Sequence, residues 1–319
     1  MKQVLILIFL FIGLVLTQVN YKVNNLRNTR NGQTAELDLE SGEGPFGKDI
    51  KKLKLEVFYE TKTRVHFKIT DRESKRWEVP RVIKSTTPEI SPSDLDYEVT
   101  IATTPSFGIL IKRKLSDEIL FDSRGEKFIY SEQFLTITNK VQNENPNIYG
   151  LGERISNFRL NTNNKYYSMW PIDRYTFGLK NLYSTHPFYL EKRGSTAYGV
   201  FLLNSNAQNV HLNKNKIKYN TIGGVLDFYV FTGPTPDSVL LQYQQVIGKP
   251  HLPAYWTLGW HQCRYGYKSL EETKKVWENY AKHKIPVKNR KNFFFNFLKN
   301  SSIQCGMILI IWIIINYSQ

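Results

Sequence analysis

The chain has 319 residues, of which 41% are hydrophobic and 14% aromatic, a composition that excludes a largely disordered protein and leaves room for two domains. Its formal net charge of +15 is high, but the basic residues are scattered without a block of five like charges, which favours a solvated basic surface over a nucleic-acid site. Only Cys263 and Cys305 are present, which excludes a disulfide framework.

The first element of the chain is an apolar segment. Lys2 is followed by an apolar run from Val4 to Leu16 and then by polar residues. A run of this length suits a secretory signal better than a membrane span, which needs about 20 residues. We therefore expect residues 1–18 to be a signal peptide that leads into the secretory pathway (lysosome or vacuole, endoplasmic reticulum, or medium). No stable membrane span is expected after cleavage, and an uncleaved anchor is the alternative.

The pattern of polar and apolar residues changes near residue 51. Residues 19–50 are polar and contain Asn, Gly and Gln, which predicts a loosely structured lead-in. From there on, apolar residues alternate with charged ones at 53–59 and again at 65–69. This period of two predicts a β-hairpin with its turn near 61–63.

The same alternation recurs through the next part of the chain. It is found at 97–101, 107–112, 118–121, 134–137, 196–203, 210–219 and 226–231. Many short strands separated by turn signals indicate an antiparallel sandwich. We therefore predict a mainly β domain over residues 51–249.

Helical patterns appear only after these strands. A first helix is predicted to begin at Pro236 and to end at Gly248, because apolar residues recur at helical spacing between them. A short strand is predicted at 255–260, and Ser269 and Glu272 then form the capping box of a second helix. With a further strand beginning at 285–287, this order predicts the first βα unit of a parallel barrel over residues 250–288.

The tail at 289–319 has a different composition. Phe, Asn, Lys, Ile and Tyr dominate it, and no Asp or Glu occurs after Glu278. These residue types have A/T-rich codons, so we expect the tail to be unrelated to the preceding domains and the barrel to be truncated. An apolar C-terminal membrane contact is the alternative interpretation of 307–315.

Six blocks of sequence carry a resemblance to a known family. They are YGLGE (149–153), MWPID (169–173), NLYSTHPFYL (181–190), YGVFLLNSNAQNV (198–210), TIGGVLDFYVFTGPTPDSV (221–239) and LPAYWTLGWHQCRYGY (252–267). In order and spacing they resemble the N-terminal part of glycoside hydrolase family 31, the family of α-glucosidases, maltase-glucoamylases and glucosidase II catalytic subunits. The resemblance covers roughly residues 50 to 287.

The resemblance implies both a fold and an activity. The implied fold is a galactose-mutarotase-like antiparallel β-sandwich followed by a (β/α)8 barrel. The implied role is binding of α-glucosides or malto-oligosaccharides and hydrolysis of terminal α-glucosidic bonds, without a cofactor or metal. The retaining mechanism needs two carboxyl groups about 5 Å apart, and the family places both on later barrel strands.

Neither of the family's catalytic aspartate motifs is present in this sequence. We therefore expect no catalytic residue in the chain and no hydrolytic activity from it. A stand-alone, lectin-like or regulatory sugar-binding sandwich is the alternative function.

Three residues are carried over from the family as substrate-binding candidates. Asp173 in MWPID matches an aspartate on a loop that reaches into the sugar pocket, where a carboxylate accepts hydrogen bonds from hydroxyl groups. Ile172 stands where the family often has an arginine, a departure that weakens the match. Tyr267 matches an aromatic residue that lines the pocket, and Tyr265 stands where tryptophan is common. A turn role for Asp173 and interface packing for both tyrosines are the alternatives.

Other chemistry-bearing residues favour structural roles. The glycines at 150 and 152 predict a strand-to-loop bend rather than a phosphate loop, since no helix pattern follows them. His186, His251 and His261 lack the spacing of a metal site, and Cys263 is expected to be a buried thiol.

Overall fold

The computed structural model describes residues 19–46, 48–78, 80, 83, 90–173, 181–258, 260–262, 267–285 and 311–313. The chain divides into two compact units, Met1–Gly248 and Lys249–Gln319. The predicted signal segment lies outside the described residues. None of the helices in the described ranges is long and apolar enough to cross a membrane.

The first unit is built almost entirely of strands. In chain order they are β1 (Asn20–Thr29), β2 (Gly32–Ser41), β3 (Lys52–Thr61), β4 (Arg64–Asp71), β5 (Tyr97–Ala102), β6 (Gly108–Arg113), β7 (Ile119–Asp122), β8 (Ile129–Tyr130), β9 (Leu135–Lys140), β10 (Asn147–Gly150), β11 (Lys165–Met169), β12 (Phe188–Arg193), β13 (Thr196–Leu202), β14 (Gln208–Asn213), β15 (Lys216–Thr221) and β16 (Leu226–Phe231). Helix α1 (Pro236–Ile247) follows them, and a short 3-10 helix, Pro92–Asp94, precedes β5.

Three antiparallel sheets make up this unit. The largest has eight strands in the order β1-β2-β3-β4-β16-β13-β12-β10. A five-stranded sheet has the order β11-β14-β15-β9-β8, and a three-stranded sheet has the order β5-β6-β7. Neighbouring strands pair antiparallel throughout these sheets. The predicted mainly β, antiparallel architecture is confirmed.

One hydrophobic core joins the three sheets. Alternate residues of β4 point into it, so that Val65, Phe67 and Ile69 are fully buried. Phe67 of the large sheet packs against Phe121 of β7, with ring centroids 5.1 Å apart. Burial of each such side chain contributes on the order of 2 kcal/mol, so sheet-on-sheet packing is the main source of stability.

The opposite face of the large sheet carries a second apolar cluster that α1 covers. Val239 and Val246 of α1 are buried there, and the ring of Tyr243 stacks on Phe188 at 4.2 Å. The helix begins where the hydroxyl of Thr235 accepts a hydrogen bond from the Ser238 amide, 3.1 Å away. It ends before Gly248, whose φ of 92° lies in the region that favours glycine. The predicted helix is confirmed at both ends.

The predicted lead-in at 19–50 is wrong in its structure, because β1 and β2 form a hairpin at the edge of the large sheet. Tyr21 and Leu37 are buried, whereas most of β1 is exposed. An edge strand tolerates many polar residues, and these diluted the alternation in the sequence.

Two strand predictions need correction. The single strand expected at 210–219 is a hairpin, with β14 and β15 joined at Lys214, whose φ is 50°. The strand expected at 255–260 is instead a 3-10 helix, Tyr255–Leu258, followed by β17 (Trp260–Gln262). Short apolar runs fit both structures, so periodicity did not separate them.

The second unit contains β17, helix α2 (Leu270–Lys282) and β18 (Ile311–Ile313). The hydroxyl of Ser269 accepts a hydrogen bond from the Glu272 amide at 3.1 Å, and the Glu272 carboxylate accepts one from the Lys268 amide at 2.7 Å. The predicted helix and its N-terminal cap are thereby confirmed. Strand β17 pairs antiparallel with β18. Most of the further strand expected at 285–287 lies outside the described residues.

Candidate functional site

The loop that carries Asp173 follows β11 in the first unit. Residues 170–173 lie in an irregular segment, and the Asp173 side chain is exposed to solvent. Two apolar neighbours are also exposed, Trp170 at 66% and Ile172 at 47%. An exposed carboxylate beside an exposed indole is a combination that suits a polar ligand with an apolar face.

Backbone hydrogen bonds tie this loop to two other loops. The amide of Ile172 donates to the carbonyl of Leu182 at 2.9 Å, and the amide of Leu182 donates to the carbonyl of Glu153 at 2.9 Å. The side-chain amide of Asn181 donates to the carbonyls of Glu153 and Ser184, at 2.9 and 2.8 Å. Residues 151–154, 170–173 and 181–186 therefore form one connected structure, which we call the three-loop site.

Arg154 joins the three-loop site to β11. Its guanidinium donates to the carbonyl of Leu151 at 2.8 Å and to the carbonyl of Ser168 at 2.7 Å. It also lies over the ring of Tyr167, 5.2 Å from the ring centroid. Burial lowers the pKa of Arg154, but an arginine titrates so far above neutrality that it stays charged. A half-buried cation with fixed partners thus sets the position of the strand end from which the Asp173 loop departs.

A second polar group lies on the other side of the three-loop site. The Ser184 hydroxyl lies 3.2 Å from the Glu153 carboxylate and 3.2 Å from Nε2 of His186. The amide of His186 donates to the carbonyl of Gly152 at 2.8 Å. A carboxylate, a hydroxyl and an imidazole in series can accept and donate hydrogen bonds to a polyhydroxylated ligand. The sequence indicated a structural role for His186 and gave no signal that Glu153 would stand beside it.

The bend predicted at the glycines is confirmed. Strand β10 ends at Gly150, whose φ is 115°. A Cβ atom on Gly150 would lie 2.4 Å from the carbonyl oxygen of Phe188, closer than any side chain tolerates. Glycine at this position lets the chain turn away from β12 and enter the three-loop site.

The other two substrate-binding candidates belong to the second unit, and the structure describes one of them. Tyr267 is half-buried and precedes α2 in the second unit, whereas Asp173 lies in the first. Tyr265 lies outside the described residues, as does Cys263. In the described ranges, no group of three or more His, Cys, Asp and Glu side chains could hold a metal ion.

Comparison with known protein families matches two domain models to the chain. Residues 52–210 match the glycosyl hydrolase 31 N-terminal galactose mutarotase-like domain. Residues 250–290 match the TIM-barrel domain of glycosyl hydrolases family 31. The two matches lie in the same order along the chain as the strand-rich first unit and the β17–α2 segment.

Curated relatives are similar over most of this chain. A probable alpha/beta-glucosidase agdC of Aspergillus fumigatus is 40% identical over 281 residues, which are 84% of this chain and 31% of the relative. The lysosomal alpha-glucosidase of Mus musculus is 40% identical over 274 residues, 84% of this chain and 28% of the relative. The chain thus spans about a third of the length of the relatives it matches.

Solved structures share the fold. A glucosidase II alpha subunit superposes with a TM-score of 0.70 at 18% identity, over 84% of this chain and 38% of that one. A dextranase of Flavobacterium johnsoniae gives a TM-score of 0.60 at 19% identity, over 85% of this chain and 33% of that one. The chain belongs to glycoside hydrolase family 31, of which it carries the N-terminal galactose mutarotase-like sandwich and the start of the barrel.

Proposed function

We propose that this protein binds α-glucosides or malto-oligosaccharides through the three-loop site, within a family role that also includes hydrolysis of terminal α-glucosidic bonds. The single observation that carries the proposal is the exposed Asp173 carboxylate on a loop held by fixed hydrogen bonds. Binding of a ligand to such a carboxylate costs little conformational entropy, because hydrogen bonds already hold the loop in place. The exposed ring of Trp170 adds an apolar surface on the same loop.

For the second unit we propose two further sugar contacts, Tyr267 and Tyr265. A flat aromatic ring packs well against the apolar face of a pyranose. Tyr267 precedes α2, the helix that follows the first strand of the family's barrel. We propose that both tyrosines contact the sugar, with no metal or cofactor involved.

The 319-residue chain is proposed to bind sugar without hydrolysing it. Retaining hydrolysis requires one carboxylate as nucleophile and a second carboxyl group as acid, about 5 Å apart. The sequence has no Asp or Glu after Glu278, so its barrel segment supplies neither group beyond α2. The hydrolytic role is therefore proposed for the family architecture and not for these 319 residues alone.

The test measures binding and turnover separately. We expect maltose to bind the purified chain in a calorimetric titration, and we expect no release of product from maltose or a chromogenic α-glucoside. Asp173→Asn should weaken maltose binding by about tenfold, the loss expected when a charged hydrogen-bond acceptor becomes neutral. Turnover that depends on this chain would contradict the proposed inactivity. An unchanged affinity of Asp173→Asn for maltose would contradict the proposed site.

A stand-alone sugar-binding sandwich is the second candidate function. It is favoured by the core of the first unit, which joins all three sheets and which, among the described residues, includes none from the second unit. In that case residues 19–248 should bind maltose as tightly as the whole chain does. A much weaker affinity of residues 19–248, with the fold shown to be retained by circular dichroism, would instead indicate that binding needs Tyr267 or Tyr265.

The proposed location is the secretory pathway, entered through residues 1–18. One relative carries the name lysosomal alpha-glucosidase. N-terminal sequencing of the protein recovered from expressing cells tests this proposal. We expect it to begin close to residue 19, whereas recovery of the intact N-terminus would favour the membrane anchor.

A further inference from the structure

A cleft of about 410 Å³ opens in the first unit between the end of β13, helix α1 and four loops. Its volume falls within the range of small-molecule sites, about 300–1,000 Å³. The lining includes three aromatic rings and several groups that form hydrogen bonds: Trp77, Phe201 and Tyr243, with Glu78, His186 and Asn206. This is a different surface from the Asp173 loop, which does not line the cleft.

On its aromatic side, the cleft has two rings that pack against each other and a third ring that is exposed. Phe201 is buried, and its ring meets that of Tyr243 edge-on with centroids 5.2 Å apart. Trp77 also lines the cleft, and 62% of its surface is exposed. Exposure of a large indole at the rim of a pocket leaves a flat apolar surface open to a ligand.

The polar side of the cleft is held by an asparagine pair. Asn204 donates from its side-chain amide to the carbonyls of Gly223 and Val225, both at 2.9 Å. Its side-chain oxygen accepts from the backbone amide and the side-chain amide of Asn206, at 2.8 and 3.0 Å. These two hydrogen bonds fix the position of Asn206, which lines the cleft.

Two further polar groups at the cleft have restrained positions. Glu78 forms an ion pair with Lys68, so the local charge at its carboxylate is balanced. His186 is placed by its contact with the Ser184 hydroxyl at 3.2 Å. A balanced carboxylate, an imidazole and an amide oxygen suit hydroxyl groups better than a charged ligand, because no unbalanced charge faces the cleft from these groups.

We propose that this cleft is a second carbohydrate site, which binds a neutral pyranose. The ring of Trp77 covers the apolar face of the sugar, and Asn206, Glu78 and His186 bind its hydroxyl groups. The cleft is joined to the three-loop site by residues 181–187, whose first part holds the Asp173 loop and whose last part lines the cleft. The proposal rests on the carbohydrate class of the proposed function; Thr185 and His186 belong to both sites, whereas the Asp173 loop does not line the cleft.

The experiment is a titration of the purified full chain with methyl α-D-glucopyranoside and with maltose, followed by calorimetry and tryptophan fluorescence. Trp77→Ala should weaken binding at the cleft by about tenfold and should remove the part of the fluorescence change that Trp77 causes, whereas Trp77→Phe should restore part of the affinity. Phe158→Ala is the matched control, because Phe158 is an aromatic residue that is 87% exposed away from the cleft. Asn206→Ala provides a second variant on the polar side.

The variants separate this site from the three-loop site. Binding that survives Asp173→Asn but is weakened by Trp77→Ala and by Asn206→Ala supports the cleft. Binding that is abolished by Asp173→Asn and untouched by both cleft variants overturns the cleft proposal and leaves the proposed function standing. Failure of both sugars to bind at tens of millimolar overturns the two proposals together. Circular dichroism of each variant confirms that the fold is retained.

Discussion

The Nε2 atom of His66 lies 2.6 Å from the Oδ1 atom of Asp227, across the pairing of β4 with β16. The other ring nitrogen lies 3.1 Å from the carboxylate of Glu60, and the ring stacks on Tyr229 at 4.2 Å. Burial by itself lowers the pKa of His66, but the hydrogen bonds to Asp227 and Glu60 outweigh it and raise that pKa to about 9. Arg64 and Lys68 form ion pairs with the same two carboxylates.

This arrangement predicts a loss of stability in mild alkali. Because the folded-state pKa of His66 exceeds the ordinary value of 6.5, its charge stabilises the fold fully below that value, and the contribution is lost as the pH rises through about 9. We expect the free energy of unfolding to fall by about 3 kcal/mol across this window. Urea unfolding of the wild type and of His66→Gln between about pH 6 and 10 measures the difference.

The His66→Gln variant should be less stable at neutral pH, since it leaves two buried carboxylates without the imidazolium. Its stability should change much less over the same pH window. Parallel pH profiles for the two proteins would show that other groups cause the alkaline loss.

Much of the sandwich was predictable from the sequence, whereas the three-loop site was not. The alternation of Leu53, Leu55 and Val57 with charged residues marks β3 because one face of that strand is fully buried. In β1 the same period is hidden by Asn and Arg side chains that face solvent at a sheet edge. Backbone hydrogen bonds link Ile172, Leu182 and Glu153. Because nearly every residue type can form such bonds, no residue pattern predicts this link.

A buried ion pair on β12 predicts a large loss of stability when one partner is removed. Arg193 lies 2.8 Å from the Glu191 carboxylate, which is fully buried and also accepts a hydrogen bond from the Tyr198 hydroxyl at 2.6 Å. Arg193→Ala leaves that carboxylate charged without its cation, at a cost of about 3–5 kcal/mol. The matched control is Lys52→Ala, which breaks a solvent-exposed pair with Glu73 and should change stability far less. Chemical denaturation of both variants measures the two effects, and equal losses would contradict the prediction.

Two glycines with positive φ allow the energetic cost of backbone strain to be measured separately from that of steric overlap. Gly150 has a φ of 115°, and a Cβ atom there would lie 2.4 Å from the Phe188 carbonyl oxygen. Gly125 has a φ of 70°, but a Cβ atom there would meet nothing within 4 Å. Gly125→Ala should cost about 1 kcal/mol, the strain alone, whereas Gly150→Ala should cost about 3 kcal/mol or more because β10 must move away from β12. Thermal unfolding of the two variants tests this order, and a smaller loss for Gly150→Ala would show that β12 yields easily.

Arg154 offers a test of whether the Asp173 loop depends on its anchor. Arg154→Lys keeps the charge but loses the planar group that reaches the carbonyls of Leu151 and Ser168 together. We expect maltose affinity to fall about as far as in Asp173→Asn, although Arg154 itself is proposed to act only through the loop. The control is Arg159→Lys, since Arg159 is exposed and contacts only Asn145 among the described residues. Limited proteolysis should cut Arg154→Lys faster than the control between residues 150 and 173, because residues 151–154 have lost their attachment to β11. An intact loop with reduced affinity would instead indicate that Arg154 contacts the sugar directly.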